Sequence, residues 1–161
     1  MLKHRGVDCQ HLLLPIEQCK SPAPDDEQTW LILEYCEASL SKLIASLTTD
    51  QEWRKFAQSK PGFVTQIVRE LLSAVSVLHS QRIMHRDIKP DNVLFKLQSD
   101  GTLKLKLTDF GFARQDQENL PWVSGVGSTE FLAPEVLRNF VHEWQPYTEK
   151  VEVWAIGVLV Y

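Results

Sequence analysis

An apolar stripe that recurs every three to four residues after Pro61-Gly62 is the pattern that most restricts the fold of this 161-residue sequence. This spacing places its members on one face of an α-helix, so the helix must pack against a core. We expect the polar residues Gln66, Arg69 and Glu70 to lie largely on the opposite face. The stripe consists of Phe63, Ile67, Leu71, Val75 and Leu78.

A β-hairpin is predicted downstream of this helix. Val93-Leu94-Phe95 and the alternating segment 103–107 flank the turn-forming pair Asp100-Gly101. The alternation predicts leucines that face inward and lysines that face outward.

Two further strands are predicted upstream, at His11–Cys19 and Trp30–Cys36, with a turn-forming acidic loop at 21–27 between them. Leu40, Leu43, Ile44 and Leu47 have the spacing of a short helix. The polar segment Thr48–Lys60 has no apolar pattern that predicts its secondary structure.

Composition restricts the class of protein. The sequence is 43% hydrophobic and has a net charge of −4, which fits a globular domain and gives no reason to expect nucleic acid or a membrane surface as a partner. The cysteines Cys9, Cys19 and Cys36 form no CxxC pair, so we expect free thiols rather than zinc ligands. Free thiols favour an intracellular location, in the cytoplasm or the nucleus.

The two ends of the sequence also carry information. Residues 1–10 have no apolar core of a secretory signal, and the longest apolar stretch, Val153–Tyr161, is far shorter than the roughly 20 residues that cross a bilayer. The stretch has the pattern of a helix that is buried on all sides, and it runs to the last residue. We therefore expect the sequence to be a piece of a longer protein.

Three short motifs follow one another in a fixed order: His85-Arg86-Asp87-Ile88-Lys89-Pro90-Asp91-Asn92, Asp109-Phe110-Gly111 and Ala133-Pro134-Glu135. Together they resemble the H-R-D-x-x-x-x-N, D-F-G and A-P-E motifs in the C-terminal lobe of eukaryotic protein kinases. The resemblance implies a truncated α+β, protein-kinase-like fold that is mainly the helical C-terminal lobe with a catalytic hairpin. Residues 1–36 would be a remnant of the N-terminal lobe and hinge, and 37–161 an incomplete C-terminal lobe.

The residues of these motifs suit phosphoryl transfer, which needs a proton acceptor, oxygen ligands for Mg²⁺ and a cation near the moving phosphate. Asp87 is the candidate base, and Lys89 is the candidate cation. Asn92 and Asp109 are the candidate Mg²⁺ ligands, and we expect the hairpin to bring them to the same end. The implied cofactors are ATP and Mg²⁺.

The resemblance also implies a substrate class and a nucleotide pocket. Lys89 two residues after the base, with Ser128 in the loop before Ala133, is similar to the serine/threonine kinases, so the substrate would be a protein Ser or Thr hydroxyl. The backbone of Glu34 and Cys36 would face adenine, and Leu94 would form the pocket floor. Leu33 would be the gatekeeper, while His85 and Phe110 would have packing roles.

The segment between Asp109 and Glu135 resembles an activation loop. Ser124 occupies the expected phosphosite, Arg86 is its expected partner, and Thr129 is a second candidate site. An upstream activating kinase would then be a partner.

The sequence also departs from the family. It contains no G-x-G-x-x-G loop and no V-A-I-K lysine before the hinge, Glu152 stands where aspartate is usual, and Glu135 would lack its usual arginine partner. We expect the terminal apolar helix to expose a large patch, so that the 161 residues alone would not form a stable active enzyme.

Two other functions compete with that of an active serine/threonine kinase. A non-catalytic binding module is the alternative, because the phosphate-anchoring lysine is missing. A small-molecule phosphotransferase is disfavoured by Ala133-Pro134-Glu135. The hinge Glu34-Tyr35-Cys36 is faintly similar to the IκB kinase type.

Overall fold

The computed structural model describes residues 8–20, 28–115, 123–141 and 146–161. Its helices and strands, in chain order, are β1 (Glu17–Lys20), β2 (Thr29–Ile32), β3 (Ala38–Ser39), α1 (Leu40–Ser46), α2 (Asp50–Ser59), α3 (Phe63–Ser80), β4 (Ile83–Met84), β5 (Val93–Leu97), β6 (Leu103–Leu107), β7 (Arg114–Gln115), α4 (Pro134–Arg138) and α5 (Lys150–Val160). The described strands form three small antiparallel sheets, ordered β1-β2, β3-β5-β6 and β4-β7.

The two upstream strands are present and pair with each other, but both are shorter than the sequence suggested. β1 and β2 are antiparallel, with Glu17 opposite Ile32, and the predicted loop between them lies outside the described residues. The prediction of a strand from His11 was wrong for residues 11–16. That segment instead lies beside β6, where the Leu13 amide donates to the Leu107 carbonyl at 2.8 Å and the Leu107 amide donates to the His11 carbonyl at 2.8 Å. β2 ends at Ile32, so 33–36 is not part of the strand.

α1 confirms the predicted short helix, and α2 fills the segment that the apolar pattern left open. α2 begins with a capping box, in which the Thr49 hydroxyl accepts the Glu52 amide and the Glu52 carboxylate accepts the Thr49 amide. Such a box satisfies backbone donors that the first helical turn leaves free. Local hydrogen bonding, rather than an apolar stripe, therefore defines where this helix starts.

α3 carries the apolar stripe into the main core. Ile67, Leu71, Val75 and Leu78 are buried there with the inward residues of β5 and β6. The hairpin is also confirmed, with Phe95 opposite Leu105 and with Gly101 in the turn at a φ of 81°.

The expectation that Gln66 and Glu70 lie on the outer face of α3 was wrong. Glu70 is buried, and its Oε2 accepts the Leu105 amide at 2.7 Å, while Gln66 Nε2 donates to the Leu103 carbonyl at 2.8 Å. β6 is the last strand of its sheet, and residues 11–13 bond to its backbone at Leu107, so the Leu103 carbonyl and the Leu105 amide have no partner strand. The polar side chains of α3 take the place of that strand.

α5 is the apolar helix at the end of the sequence. Val151, Glu152, Ala155 and Ile156 are buried, whereas Trp154 is 49% exposed and other apolar side chains of the helix are also exposed. The apolar pattern predicted that α5 is buried on all sides. The described residues bury one face of this helix and leave the others exposed. Among those residues, no helix has the length and apolar character needed to cross a membrane.

Candidate active site

The segment between β4 and β5 carries the first motif, and His85 anchors it. His85 is completely buried: its Nε2 donates to the Thr108 carbonyl at 2.8 Å, its Nδ1 accepts the Asp87 amide at 3.3 Å, and its ring centroid lies 5.0 Å from that of Phe110. Burial lowers the pKa of His85, against the opposing effects of the Thr108 bond and nearby carboxylates. A neutral imidazole accounts for one donated and one accepted hydrogen bond, which fits the expected packing role.

Asp87 lies at the centre of a network of hydrogen bonds. Its Oδ1 accepts both the amide and the hydroxyl of Ser128 at 2.9 Å. Its Oδ2 is 2.8 Å from Lys89 Nζ and accepts Asn92 Nδ2 at 3.1 Å. Lys89 Nζ also donates to the Ser128 hydroxyl at 2.9 Å, so Asp87, Lys89 and Ser128 form a closed triangle.

These contacts shift the pKa values of both charged groups. Burial alone would raise the pKa of Asp87, but the hydrogen bonds from Lys89 and Ser128 outweigh it and hold that pKa below its usual range. The bond to Asp87 raises the pKa of Lys89. At neutral pH the site therefore holds a carboxylate and an ammonium group in contact.

The two candidate Mg²⁺ ligands lie at the same end of the hairpin, as the sequence predicted. The Thr108 amide donates to the Asn92 carbonyl at 3.0 Å, which places Asp109 directly beyond this bonded pair. Asn92 uses Nδ2 for both of its bonds to Asp87, so Oδ1 is its atom for a cation. Asp109 is exposed, with a φ of 62°, and its Oδ1 accepts the Gly111 amide at 3.2 Å. Amide and carboxylate oxygens are the donors that Mg²⁺ prefers, so these residues fit the ion.

Arg86 joins the site to the candidate activation loop. Its backbone has a φ of 67°, and its amide donates to Glu152 Oε1 at 2.7 Å. Its side chain donates through Nε to the Phe112 carbonyl and through Nη1 to the Ser124 hydroxyl, both at 2.7 Å. The structure thus brings the predicted phosphosite into contact with its predicted arginine.

Residues 33–37, which include the candidate hinge Glu34-Tyr35-Cys36, run between β2 and β3 without strand pairing over 33–36. Glu34 and Cys36 are partly buried here, and Leu94 is partly buried on β5, whereas Leu33 is 42% exposed. Burial raises the pKa of the Cys36 thiol, and the Glu34 carboxylate adds to that effect.

Residues 7–161 match the family model of the protein kinase domain. The chain belongs to the protein kinase family. The α+β kinase fold predicted from the three motifs is thereby confirmed.

Relatives of this kinase chain carry kinase names, and two of the three described here are named serine/threonine-protein kinases. It is 35% identical over 133 residues to serine/threonine-protein kinase STE20 of Saccharomyces cerevisiae, covering 81% of this chain and 12% of the relative. It is 36% identical over 142 residues to a putative ribosomal protein S6 kinase alpha-1 of Caenorhabditis elegans, covering 85% of this chain and 16% of the relative. It is 32% identical over 137 residues to serine/threonine-protein kinase PAK mbt of Drosophila melanogaster, covering 84% of this chain and 18% of the relative.

The names of two of these relatives agree with the serine/threonine class that the sequence predicted. The kinase chain spans less than one fifth of the length of each of these three relatives.

Two contacts in this kinase domain could not be anticipated from the motifs. His79 Nε2 lies 2.6 Å from Glu152 Oε2, so this buried carboxylate joins α3 to the Arg86 backbone. The buried Tyr147 donates its hydroxyl to the Ser124 carbonyl at 2.9 Å. Neither His79 nor Tyr147 belongs to a motif, and only the fold brings them to the site.

Proposed function

We propose that this chain carries the phosphoryl-transfer centre of a serine/threonine protein kinase, which moves the γ-phosphate of ATP to a Ser or Thr hydroxyl of a protein. The observation that carries the proposal is the contact of Asp87 with Lys89 and Ser128, next to the oxygen donors of Asn92 and Asp109. These are among the groups that an in-line transfer needs in one place.

Asp87 would orient the substrate hydroxyl and accept its proton as the hydroxyl oxygen bonds to the γ-phosphorus. The bond from that phosphorus to the leaving oxygen breaks, and ADP departs. A carboxylate with a lowered pKa is a weak base, so orientation is the larger part of its contribution. Since both Asp87 oxygens already accept protein hydrogen bonds, an incoming hydroxyl must share or displace one of them.

Lys89 would neutralise charge on the transferred phosphate, because its ammonium group lies between Asp87 and Ser128. Asn92 Oδ1 and the Asp109 carboxylate would hold Mg²⁺. When bound, that ion withdraws charge from the phosphate oxygens. The backbone of Glu34 and Cys36, with Leu94, would hold the adenine ring.

The test is phosphorylation of a generic serine/threonine substrate by the purified 161-residue chain with Mg-ATP. Asp87→Asn and Asp109→Ala are expected to lower the rate by roughly 10²–10⁴, the usual range for loss of acid–base or charge stabilisation. Asp100→Ala is the matched control, because Asp100 is an exposed aspartate at the opposite end of the same hairpin. Size-exclusion chromatography establishes that each variant is monomeric.

The second candidate is a non-catalytic binding module, favoured by exposed apolar side chains around β2 such as Trp30, Leu31 and Tyr35. A folded monomer that neither binds nor hydrolyses ATP would favour this function. A rate that disappears in Asp109→Ala and persists in Asp100→Ala would contradict it.

Phosphorylation of Ser124 by an upstream kinase is also proposed. Arg86 already donates to the Ser124 hydroxyl, so a phosphate there would meet a guanidinium group. Thr129 is exposed, and its hydroxyl donates weakly to Glu130 at 3.4 Å, a carboxylate that would repel a phosphate. Phosphoserine incorporated at 124 is therefore expected to slow amide exchange in 123–128, and phosphothreonine at 129 is the matched control. Equal effects at both positions would contradict the assignment.

An intracellular location, in the cytoplasm or nucleus, is also proposed, because Cys19 and Cys36 are free thiols in the structure. Fluorescence microscopy of the tagged chain tests it.

A further inference from the structure

Glu34 makes ion pairs that tie the candidate hinge to the hairpin. Its Oε1 lies 2.5 Å from Lys106 Nζ on β6, and its Oε2 lies 3.3 Å from Lys96 Nζ on β5. The Lys106 side chain is only 12% exposed, so this pair is partly shielded from water. One carboxylate thus contacts both strands of the hairpin.

The hairpin register explains why this contact bears on the nucleotide pocket. Lys106 pairs directly across the sheet with Leu94, and successive side chains of a strand alternate between faces. Leu94, Lys96 and Lys106 therefore share the outward face, opposite to the buried core residues. Glu34 holds the hinge over the face that carries the proposed pocket floor.

Additional bonds fix the neighbouring residues of the hinge. Lys96 Nζ donates to the Tyr35 carbonyl at 3.2 Å. The Glu37 amide donates to the Phe95 carbonyl at 2.9 Å, and the Glu37 carboxylate accepts the Leu97 amide at 2.7 Å. The hinge is thus bound to β5 on both sides of Cys36.

The charge state agrees with this geometry. Burial alone would raise the pKa of Glu34, but Lys106 and Lys96 outweigh it and hold the pKa below its usual value. Glu34 is therefore ionised at neutral pH, and both ion pairs persist there.

We propose that Glu34, Lys96 and Lys106 form a hinge clamp, in which Glu34 is a positioning residue for nucleotide binding. The clamp sets the distance between the hinge backbone and Leu94, where the adenine ring would lie. This inference rests on the proposed function, because it assumes that the hinge and Leu94 bind ATP. It assigns to the Glu34 side chain a role separate from that of its backbone.

The clamp predicts a specific pattern of nucleotide affinities. The probe is the N-methylanthraniloyl derivative of ATP with Mg²⁺, and its Kd is measured by fluorescence for the full 161-residue chain. Glu34→Gln and Lys106→Met are each expected to weaken binding roughly three- to tenfold, since partly exposed ion pairs carry modest energies. Glu17→Gln, an exposed carboxylate on β1, is the matched control and keeps the Kd of the unaltered chain.

A double-mutant cycle separates the clamp from general damage. If the clamp acts as a unit, the Glu34→Gln/Lys106→Met pair binds no more weakly than either single variant, and the charge reversal Glu34→Lys/Lys106→Glu recovers part of the affinity. In an active enzyme, the KM for ATP rises while kcat stays the same. Additive losses, or no loss in Glu34→Gln, would overturn the proposal.

Hydrogen exchange distinguishes failure of the clamp from failure of the proposed function. If the unaltered chain binds no probe, the ATP site is contradicted, and amide exchange over 33–37 decides the clamp on its own. Faster exchange there in Glu34→Gln, and not in Glu17→Gln, supports the clamp. Unchanged exchange overturns it.

Discussion

The carboxylate of Glu152 accepts the backbone amide of Arg86 at 2.7 Å and lies 2.6 Å from His79 Nε2 through its other oxygen. The side chain is almost completely buried, at 2% exposure. Glutamate, at the position where the family usually has aspartate, therefore binds the backbone of Arg86 and reaches α3 as well. The departure noted in the sequence is accommodated by the structure.

Glu152→Ala is expected to destabilise the fold by about 1–3 kcal/mol, the usual cost of leaving a buried hydrogen-bonding group without a partner. Arg86 has a φ of 67°, a strained value that its contacts must maintain. Urea unfolding measures the change, and Glu149→Ala, an exposed glutamate just before the same helix, is the control. Equal stabilities of these two variants would contradict the role of Glu152.

Glu152→Asp tests the length of the side chain. Aspartate lacks one methylene, so we expect it to keep one of the two contacts and to fall between Glu152→Ala and the unaltered chain in stability. The His79 ring resonances in NMR spectra show which contact is lost. A variant as stable as the unaltered chain would mean that the extra methylene has no role.

Gly127 is required by its backbone conformation and by its surroundings. Its φ is 108°, and a Cβ atom there would lie 2.5 Å from the Arg86 carbonyl oxygen. Gly127→Ala is expected to cost more than the roughly 1–2 kcal/mol of left-handed strain alone, because the catalytic-loop backbone must move. Gly101→Ala is the matched control: its φ is 81°, and a Cβ there would meet no atom within 4 Å. Unfolding curves that rank the two variants equally would exclude the contact with Arg86.

The sequence predicted the core better than the polar contacts of this protein. The apolar stripe of α3 and the alternation in the hairpin follow from burial, which acts on every apolar residue in the same way. Glu70 was placed on the wrong face because charge alone normally indicates exposure. The Leu105 amide at the edge of β6, which donates to its carboxylate, lies beside Glu70 only once the chain has folded.

The residues of the candidate site also fall into two groups, those that the sequence reveals and those that only the fold brings together. Asp87, Asn92 and Asp109 were found because their motifs are local in sequence, and the hairpin brings them together. His79 and Tyr147 come from other parts of the chain, and no spacing rule connects them to Arg86 or Ser124. Their contacts depend on how the helices pack.

Stability should depend on pH through His85. Burial lowers the pKa of this imidazole in the folded state, so the unfolded chain binds a proton more readily. The stabilisation is complete above the ordinary histidine value of about 6.5 and is lost as pH falls through the lowered folded pKa, with a slope of up to about 1.4 kcal/mol per pH unit.

Unfolding free energies between pH 8 and pH 5 measure this slope. His85→Gln should cost stability at pH 8, because the buried ring is lost, yet show a shallower decline on acidification. NMR titration of the ring provides the direct check. A ring that titrates near pH 6.5 in the folded protein would contradict the expected shift.

Substitutions in the triangle of Asp87, Lys89 and Ser128 should raise the pKa of Asp87 by different amounts. Lys89→Met removes the strongest of the contacts that lower the pKa of Asp87, so that pKa should rise most in this variant. Ser128→Ala removes only the hydroxyl bond and keeps the amide bond, so the rise should be smaller. Ser128→Thr keeps both donors and should leave the pKa of Asp87 near its present value.

NMR titration of the Asp87 carboxyl carbon ranks the three variants. Because the pKa of Asp87 is lowered by folding, its contribution to stability is present above about 3.9 and disappears as pH falls through the folded value. Lys89→Met should therefore be less stable at neutral pH and lose less stability on acidification than the unaltered chain. If Ser128→Thr behaves like Ser128→Ala, the hydroxyl at position 128 does not hold the carboxylate, and the triangle is not the unit that sets its charge.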